Sequence, residues 1–233
     1  MGIGESYPGL TEDVLEDYTT LTYLNKGEIL YLMKKFYSID PNKIQNNYHH
    51  RFEKDLIIKK FDVLQNNPFQ DRIFHVFSSK NDDCFSFEDL LDLCSAMSAE
   101  CPTEVKAAWA FRIFDLDGDG QISTGDISEI LDRLTGCSKD RFYRLDAESK
   151  TKIANVILDE IKLDNTGGIG LNEFKIIMSR IPEFHSSFYF RRPASVRPGR
   201  KGKPLVRPLS PGSTTGCLYL TWLDGKPRYV LQV

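Results

Sequence analysis

The sequence predicts an all-α protein made of two pairs of helix–loop–helix units, the loops of each pair joined by a short β-bridge. Three observations carry this prediction. Apolar residues recur at i, i+3, i+4 and i+7 in successive segments, as in Ile29, Leu32, Met33 and Phe36. The segments form an internal repeat of four units within roughly 160 residues. One connection, Asp115-Leu-Asp-Gly-Asp-Gly-Gln-Ile-Ser-Thr-Gly-Asp126, sets carboxylates at alternate positions with glycine between them, an arrangement suited to a hard cation.

Residues 1–24 are polar and acidic, with a helical candidate near Thr11–Tyr18. The opening Met-Gly-Ile-Gly-Glu-Ser6 matches M-G-x-x-x-[ST], which makes Gly2 a candidate for myristoylation. One acyl chain anchors only marginally, and Glu5, Glu12 and Asp13 would be repelled by anionic lipid. The first pair spans 25–99. Asn25 with Glu28 three residues on is a capping box, and the helix it opens should stop near Ser38, since Pro41 disfavours helical geometry at Asp40. Residues 42–60 hold no acidic loop, so the first unit has no ion site. In the second unit Phe69–Phe77 reads as a helix, Ser78–Asp83 as a polar loop, and Phe87, Leu90, Leu91 and Cys94 as the next apolar stripe. Its Asn81, Asp82 and Asp83 lack both the alternate carboxylates and the turn glycine, so a structural loop without useful metal affinity is expected.

The second pair spans 100–190. Its entering helix runs from about Thr103 to Phe114 and its exiting helix carries Ile127, Ile130, Leu131 and Leu134, with Gly136 just beyond. The loop between them, 115–126, matches the EF-hand pattern D-x-[DN]-x-[DN]-G-x5-E at every fixed position but the last. Asp115, Asp117 and Asp119 hold loop positions 1, 3 and 5, and Gly120 at position 6 permits the sharp turn. Gln121 offers its backbone carbonyl at position 7, and Ser123 at position 9 can hold a water. Asp126 stands where a Glu normally binds through both oxygens. One methylene shorter, it favours magnesium, or weaker calcium binding. The fourth unit should enter through Ile153, Val156, Ile157 and Ile161 and exit through Phe174, Ile177, Met178 and Ile181, ended by Pro182. Aligning Gly167 and Glu173 at positions 6 and 12 puts Lys162 at position 1, Asp164 at 3 and Thr166 at 5. An ammonium at position 1 opposes the ion, so the loop 162–173 is expected to be weak and kept chiefly for pairing, with Ile122 set against Ile169 in the bridge.

Charge divides the chain. From Arg191 on there are nine basic residues and one acid, Asp224, so the tail carries +8 and residues 1–190 about −11. Residues 191–233 form a basic, Pro-rich tail, of which 191–216 reads as disordered. Such a segment can contact anionic lipid, nucleic acid or an acidic protein face, its own body included, although no nucleic acid is expected as a partner. The closing Cys217–Val233 alternates like a hairpin around Asp224-Gly225, a unit that is marginal in water alone. The five cysteines show no CxxC spacing, and neither a zinc site nor a disulfide framework is expected. No signal-peptide pattern opens the chain and no apolar run is long enough for a bilayer, which points to the cytoplasm. No nucleophile motif and no phosphate-binding glycine loop occurs, so an enzyme is not expected, and His75, between Phe74 and Val76, is read as packing.

With these residues in view the chain resembles the calcium- and integrin-binding proteins, EF-hand relatives of calcineurin B. The resemblance covers roughly residues 1–190 and rests on the order of two degenerate loops then two recognisable ones. It also rests on the segments Asp17-Tyr-Thr-Thr-Leu-Thr-Tyr-Leu24, Asn67-Pro-Phe-Gln-Asp-Arg-Ile73, Phe85-Ser-Phe-Glu-Asp-Leu90, Ala110-Phe-Arg-Ile-Phe-Asp115 and Pro182-Glu-Phe-His-Ser-Ser-Phe188. Family members characteristically end the third loop in Asp, in agreement with Asp126, and usually start the fourth with Asp, from which Lys162 departs. The tail beyond Arg191 is a second departure. The resemblance implies a cytoplasmic, peripherally membrane-associated adaptor, monomeric or weakly dimeric. Calcium or magnesium would be its ion, and its targets would be amphipathic helices in the cytoplasmic tails of membrane proteins, integrin α-chains among them. Ion binding would set the angle between paired helices and so present an apolar groove to the target. Phe184, Phe188 and Phe190 either complete the core or, as the family's matching segment can, occupy that groove until target displaces it. The alternative implied is a calcineurin-B-like regulatory subunit of a phosphatase or kinase.

Overall fold

The computed structural model describes residues 7–65, 67–136, 145–161, 167–181 and 184, with the strands 217–223 and 226–232. The N-terminal half starts with helix α1 (Glu12–Leu21), capped by the Thr11 hydroxyl, which accepts from the Val14 N–H at 3.4 Å. Helix α2 (Lys26–Tyr37) opens with the predicted capping box, Asn25 and Glu28 each satisfying the other's backbone N–H, and closes at Ser38. It buries the predicted stripe Ile29, Leu32, Met33 and Phe36.

Residues 41–65 hold more structure than their sequence suggests. Asp40 is extended before Pro41, as expected, and Pro41 is itself the first residue of a further helix, α3 (Pro41–Asn46), capped by Asp40, with Ile44 in the core. Strand β1 (Phe52–Glu53) follows, then α4 (Lys54–Lys60) and α5 (Asp62–Gln65). The second unit comprises α6 (Gln70–Phe77), β2 (Cys84–Phe85) and α7 (Phe87–Ala96), the last opened by a second capping box, Ser86 with Asp89. Strands β1 and β2 run antiparallel with Phe52 opposite Phe85.

The C-terminal half repeats the plan. Helix α8 (Thr103–Phe114) has the predicted bounds, β3 (Gln121–Ile122) precedes α9 (Thr124–Gly136), and α10 (Ala147–Ile161) leads to β4 (Ile169–Gly170) and α11 (Leu171–Arg180). Ile122 faces Ile169 in the bridge, as expected. Helix α9 includes Gly136, which the sequence places just beyond it. The face of α10 needs correction at one position: Ile153 and Ile157 pack against the second core as expected, beside the buried Ala154 and Leu158, whereas Val156 is 51% exposed. Apolar residues surround more than half of this helix, and the small Ala154 sets the side that packs closely. His75 is likewise exposed on α6, so it does not serve packing. Strands β5 (Cys217–Leu223) and β6 (Lys226–Gln232) pair antiparallel where the alternation places a hairpin. Gly2, Cys137, Lys162, Asp164, Thr166, Phe188, Phe190 and 191–216 lie outside the described residues.

Two cores result. The first is centred on Phe36, Phe52, Phe74, Phe85 and Phe87, the second on Ala110, Phe111, Leu131, Leu158 and Phe174, with Phe184 packed against it. Each buried aromatic ring contributes about 2–3 kcal/mol through burial alone. The cores meet between α6 and α8. Phe77 stacks on Trp109 with centroids 4.4 Å apart, and Phe69 meets Phe114 edge-on at 5.3 Å. Arg133 of α9 reinforces the junction, donating to the Asp71 carboxylate at 2.6 Å.

Candidate metal centre

The loop between α8 and α9 is built by its own short side chains. Asp115 follows α8 directly; its N–H closes the helix on Phe111 O at 2.8 Å, while its carboxylate turns inward and accepts from the N–H of Gly118 (2.8 Å) and Gly120 (3.0 Å). Those glycines have φ of +76° and +84°, a region costly for any residue with a Cβ. Asp117 accepts from the Asp119 N–H at 3.2 Å and Asp119 from the Gln121 N–H at 2.8 Å, so the chain coils around a centre. At the far end Asp126 caps the start of α9: Oδ2 accepts from the N–H and the hydroxyl of Ser123 (2.9 and 2.8 Å), and Oδ1 from the Leu116 N–H at 2.9 Å.

These turns bring three of the predicted ligands together. Asp115, Asp117 and Asp126 each offer a carboxylate oxygen, and the three oxygens lie within 4.8 Å of one another, Asp115 and Asp126 buried and Asp117 exposed. Asp119 is exposed and stands outside this triad, and Gln121 lies in β3 opposite Gly170. Among the described residues no ammonium or guanidinium lies within ion-pair distance of the three carboxylates. Arg72 approaches but donates to the main chain, to the Asp115 carbonyl at 2.5 Å and to the Arg112 carbonyl at 3.0 Å. Converging carboxylates without a counter-charge repel one another, and an all-oxygen donor set of this kind fits a hard divalent cation.

The fourth loop is described from Gly167 on. Gly167 has φ of +85°, and Glu173 accepts from the Gly170 N–H at 2.8 Å, the same bond that Asp126 makes in the third loop. Gly168 permits close approach of the two loops: a Cβ there would lie 2.8 Å from Gln121 Oε1 and 3.3 Å from the Ile122 carbonyl oxygen.

The second loop has the same backbone frame, which its sequence conceals. Asn81 and Asp83, with φ of +51° and +54°, take the places of Gly118 and Gly120. Asp89 repeats the bonds of Asp126, accepting from the Ser79 N–H at 3.2 Å and the Ser86 N–H at 2.9 Å. The residue that sequence reasoning misses is Arg51, whose guanidinium lies inside this loop. The available signal was that Asp82 and Asp89 keep loop positions 5 and 12 although positions 1 and 3 are lost.

A carboxylate-lined twelve-residue loop between two helices, bridged antiparallel to the strand that opens a further helix, defines a calcium-binding EF-hand protein, and a family model for the EF-hand domain pair matches residues 104–179. The chain is 31% identical over 193 residues to human calcium and integrin-binding family member 2, covering 81% of this chain and 100% of that protein. It is 30% identical over 194 residues to the Drosophila melanogaster member 2, with the same coverage. It is 29% identical over 192 residues to human member 3, again over 81% of this chain and 100% of the relative. The chain therefore belongs to the calcium and integrin-binding family, as a calcium-binding EF-hand regulator.

The bonds of Asp126 make a prediction about ion choice. With Oδ2 accepting twice and Oδ1 once, Asp126 keeps a single acceptor edge, on Oδ1, for a cation. Glu173 shows that a Glu at position 12 can keep the capping bond with one oxygen. Asp126→Glu is expected to shift the calcium-over-magnesium preference toward calcium by about tenfold. Competitive calorimetry with the two ions checks this, and an unchanged ratio means that position 12 does not set selectivity.

Proposed function

We propose that this protein is a calcium- and magnesium-responsive adaptor, not an enzyme, that takes an amphipathic helix from the cytoplasmic tail of a membrane protein into an apolar groove. The observation that carries this reading is where the triad sits. Asp115 ends α8, Asp126 lies in the first turn of α9, and both are buried. Residues that hold one cation between them would also hold the two helices in one relative pose. In this reading Asp115, Asp117, Asp119 and Asp126 supply carboxylates and Gln121 its carbonyl, and the ion supplies the positive charge that lets the carboxylates converge.

The relatives' names describe integrin binding, which supports a helical tail segment as the target. Exposed apolar side chains on the helices beside the loops, Val156 on α10 and Ile176 on α11, are of the kind an amphipathic partner covers. We place the protein in the cytoplasm, with acylated Gly2 adding weak membrane contact. Calorimetric titration of a synthetic integrin α-tail peptide into the full chain tests the proposal, with calcium, with magnesium and with chelator. Binding should weaken by about tenfold or more in chelator. No binding under any condition, or equal binding under all three, overturns it.

A further inference from the structure

We infer that Arg51 is the resident cation of the second EF-hand, a guanidinium from the first unit occupying the place where a metal ion would sit. Superposing loop positions makes the case. With Phe85 in the bridge position of Ile122 and Asp89 in that of Asp126, Ser78 takes position 1, Lys80 position 3, Asp82 position 5 and the Cys84 carbonyl position 7. Arg51 reaches four of these five ligand positions. It donates to Ser78 Oγ at 3.0 Å, to Asp82 Oδ1 at 2.8 Å and Oδ2 at 3.2 Å, to the Cys84 carbonyl at 2.6 Å and to Asp89 Oδ2 at 2.7 Å. A further bond goes to Ser79 Oγ at 2.9 Å. The fifth position holds Lys80, itself a cation.

An ordinary surface ion pair looks different. Arg51 is only 13% exposed, Asp89 4%, and the guanidinium fans its donors over five residues that surround it. The charge inventory fits one monovalent cation: the second loop keeps two carboxylates at ligand positions where the third has four. The guanidinium beside Asp82 holds that carboxyl well below the usual carboxylate range. Arg51 reaches the site because β1 pairs with β2. Phe52 opposite Phe85 sets the preceding residue beside the second loop, so one side chain closes the first unit onto the second.

The consequence is a division of labour. The N-terminal pair keeps its ion-filled arrangement at any calcium level, and cation response is left to the C-terminal pair. Hydrogen exchange on the full chain tests this. In the unaltered protein, chelator should leave protection of Ser78–Asp89 unchanged while Asp115–Asp126 exchanges about tenfold faster or more. In Arg51→Ala, Ser78–Asp89 should exchange about tenfold faster, and millimolar ethylguanidinium should restore protection there and nowhere else. Protection of Ser78–Asp89 that falls with chelator in the unaltered protein overturns the inference. So does an Arg51→Ala protein whose second loop stays protected, or stays fast in ethylguanidinium. The chelator measurement needs no variant, so it decides the matter even if Arg51→Ala does not fold.

Discussion

Asp115→Ala is expected to weaken calcium binding by about a hundredfold or more, the largest functional effect of any single change in this chain. The carboxylate does two jobs at once. Its oxygens draw in the Gly118 and Gly120 N–H groups that shape the loop, and it supplies one of the two buried charges of the triad. Removing it takes away a charged ligand and the organiser of the turn together. Calcium binds only the folded chain, so its stabilising effect disappears with the affinity. At a calcium concentration of about a hundred times the original dissociation constant, a hundredfold weaker site keeps about 0.4 of about 2.7 kcal/mol, so the loss is about 2.3 kcal/mol, a fall in thermal midpoint of roughly 5–9 °C. In chelator the variant and the unaltered protein should melt within a few degrees of each other, because relief of repulsion between carboxylates offsets the lost hydrogen bonds. Calorimetry and melting with and without calcium check both parts. Affinity reduced only a few-fold would place the principal site elsewhere, with the loop after α10 as the first candidate.

The sequence made the C-terminal pair readable because its information is local. A twelve-residue loop carries its ligands, its turn glycines and its cap within one turn of each other, so spacing alone gives the centre. Thr103–Phe114, the capping box at Asn25 and the Ile122–Ile169 register are local in the same sense. The second loop is different in kind. Its frame survives with Asn81 and Asp83 in the left-handed region, residues that tolerate it less readily than glycine but better than most. The charge that completes it comes from Arg51, some thirty residues earlier, and no period or motif connects the two. The short helices between Pro41 and Gln65 are not legible in the sequence for a related reason: each buries few residues, such as Ile44 and Ile57, too few to show a stripe. Val156 shows the opposite failure. It belongs to an i, i+3, i+4 pattern of large residues yet is exposed, whereas the small Ala154 between them is fully buried.

Phe36→Ala should give the largest loss of stability, about 3–5 kcal/mol. Phe36 is fully buried, with its ring 5.1 Å from that of Phe52 and 5.6 Å from that of Phe87. It therefore joins α2 to β1 and to the start of α7, the two elements between which Arg51 reaches. A cavity there loosens the first core and the support of the guanidinium at the same time, while Phe36→Leu, which keeps most of the volume, should cost about 1 kcal/mol. Urea unfolding followed by exchange of α2 and α7 amides measures both variants. The sign of the calcium dependence is the informative part. If Arg51 serves as the cation of the N-terminal pair, the Phe36→Ala loss is the same in calcium and in chelator, because no ion is bound in that half to be released. Asp115→Ala shows the opposite behaviour, with its cost confined to calcium. One variant insensitive to the ion and one wholly dependent on it would divide the molecule at the Phe77–Trp109 contact into a lobe held by its own arginine and a lobe that answers to calcium. A Phe36→Ala protein rescued by calcium would mean that the N-terminal pair draws on the ion after all.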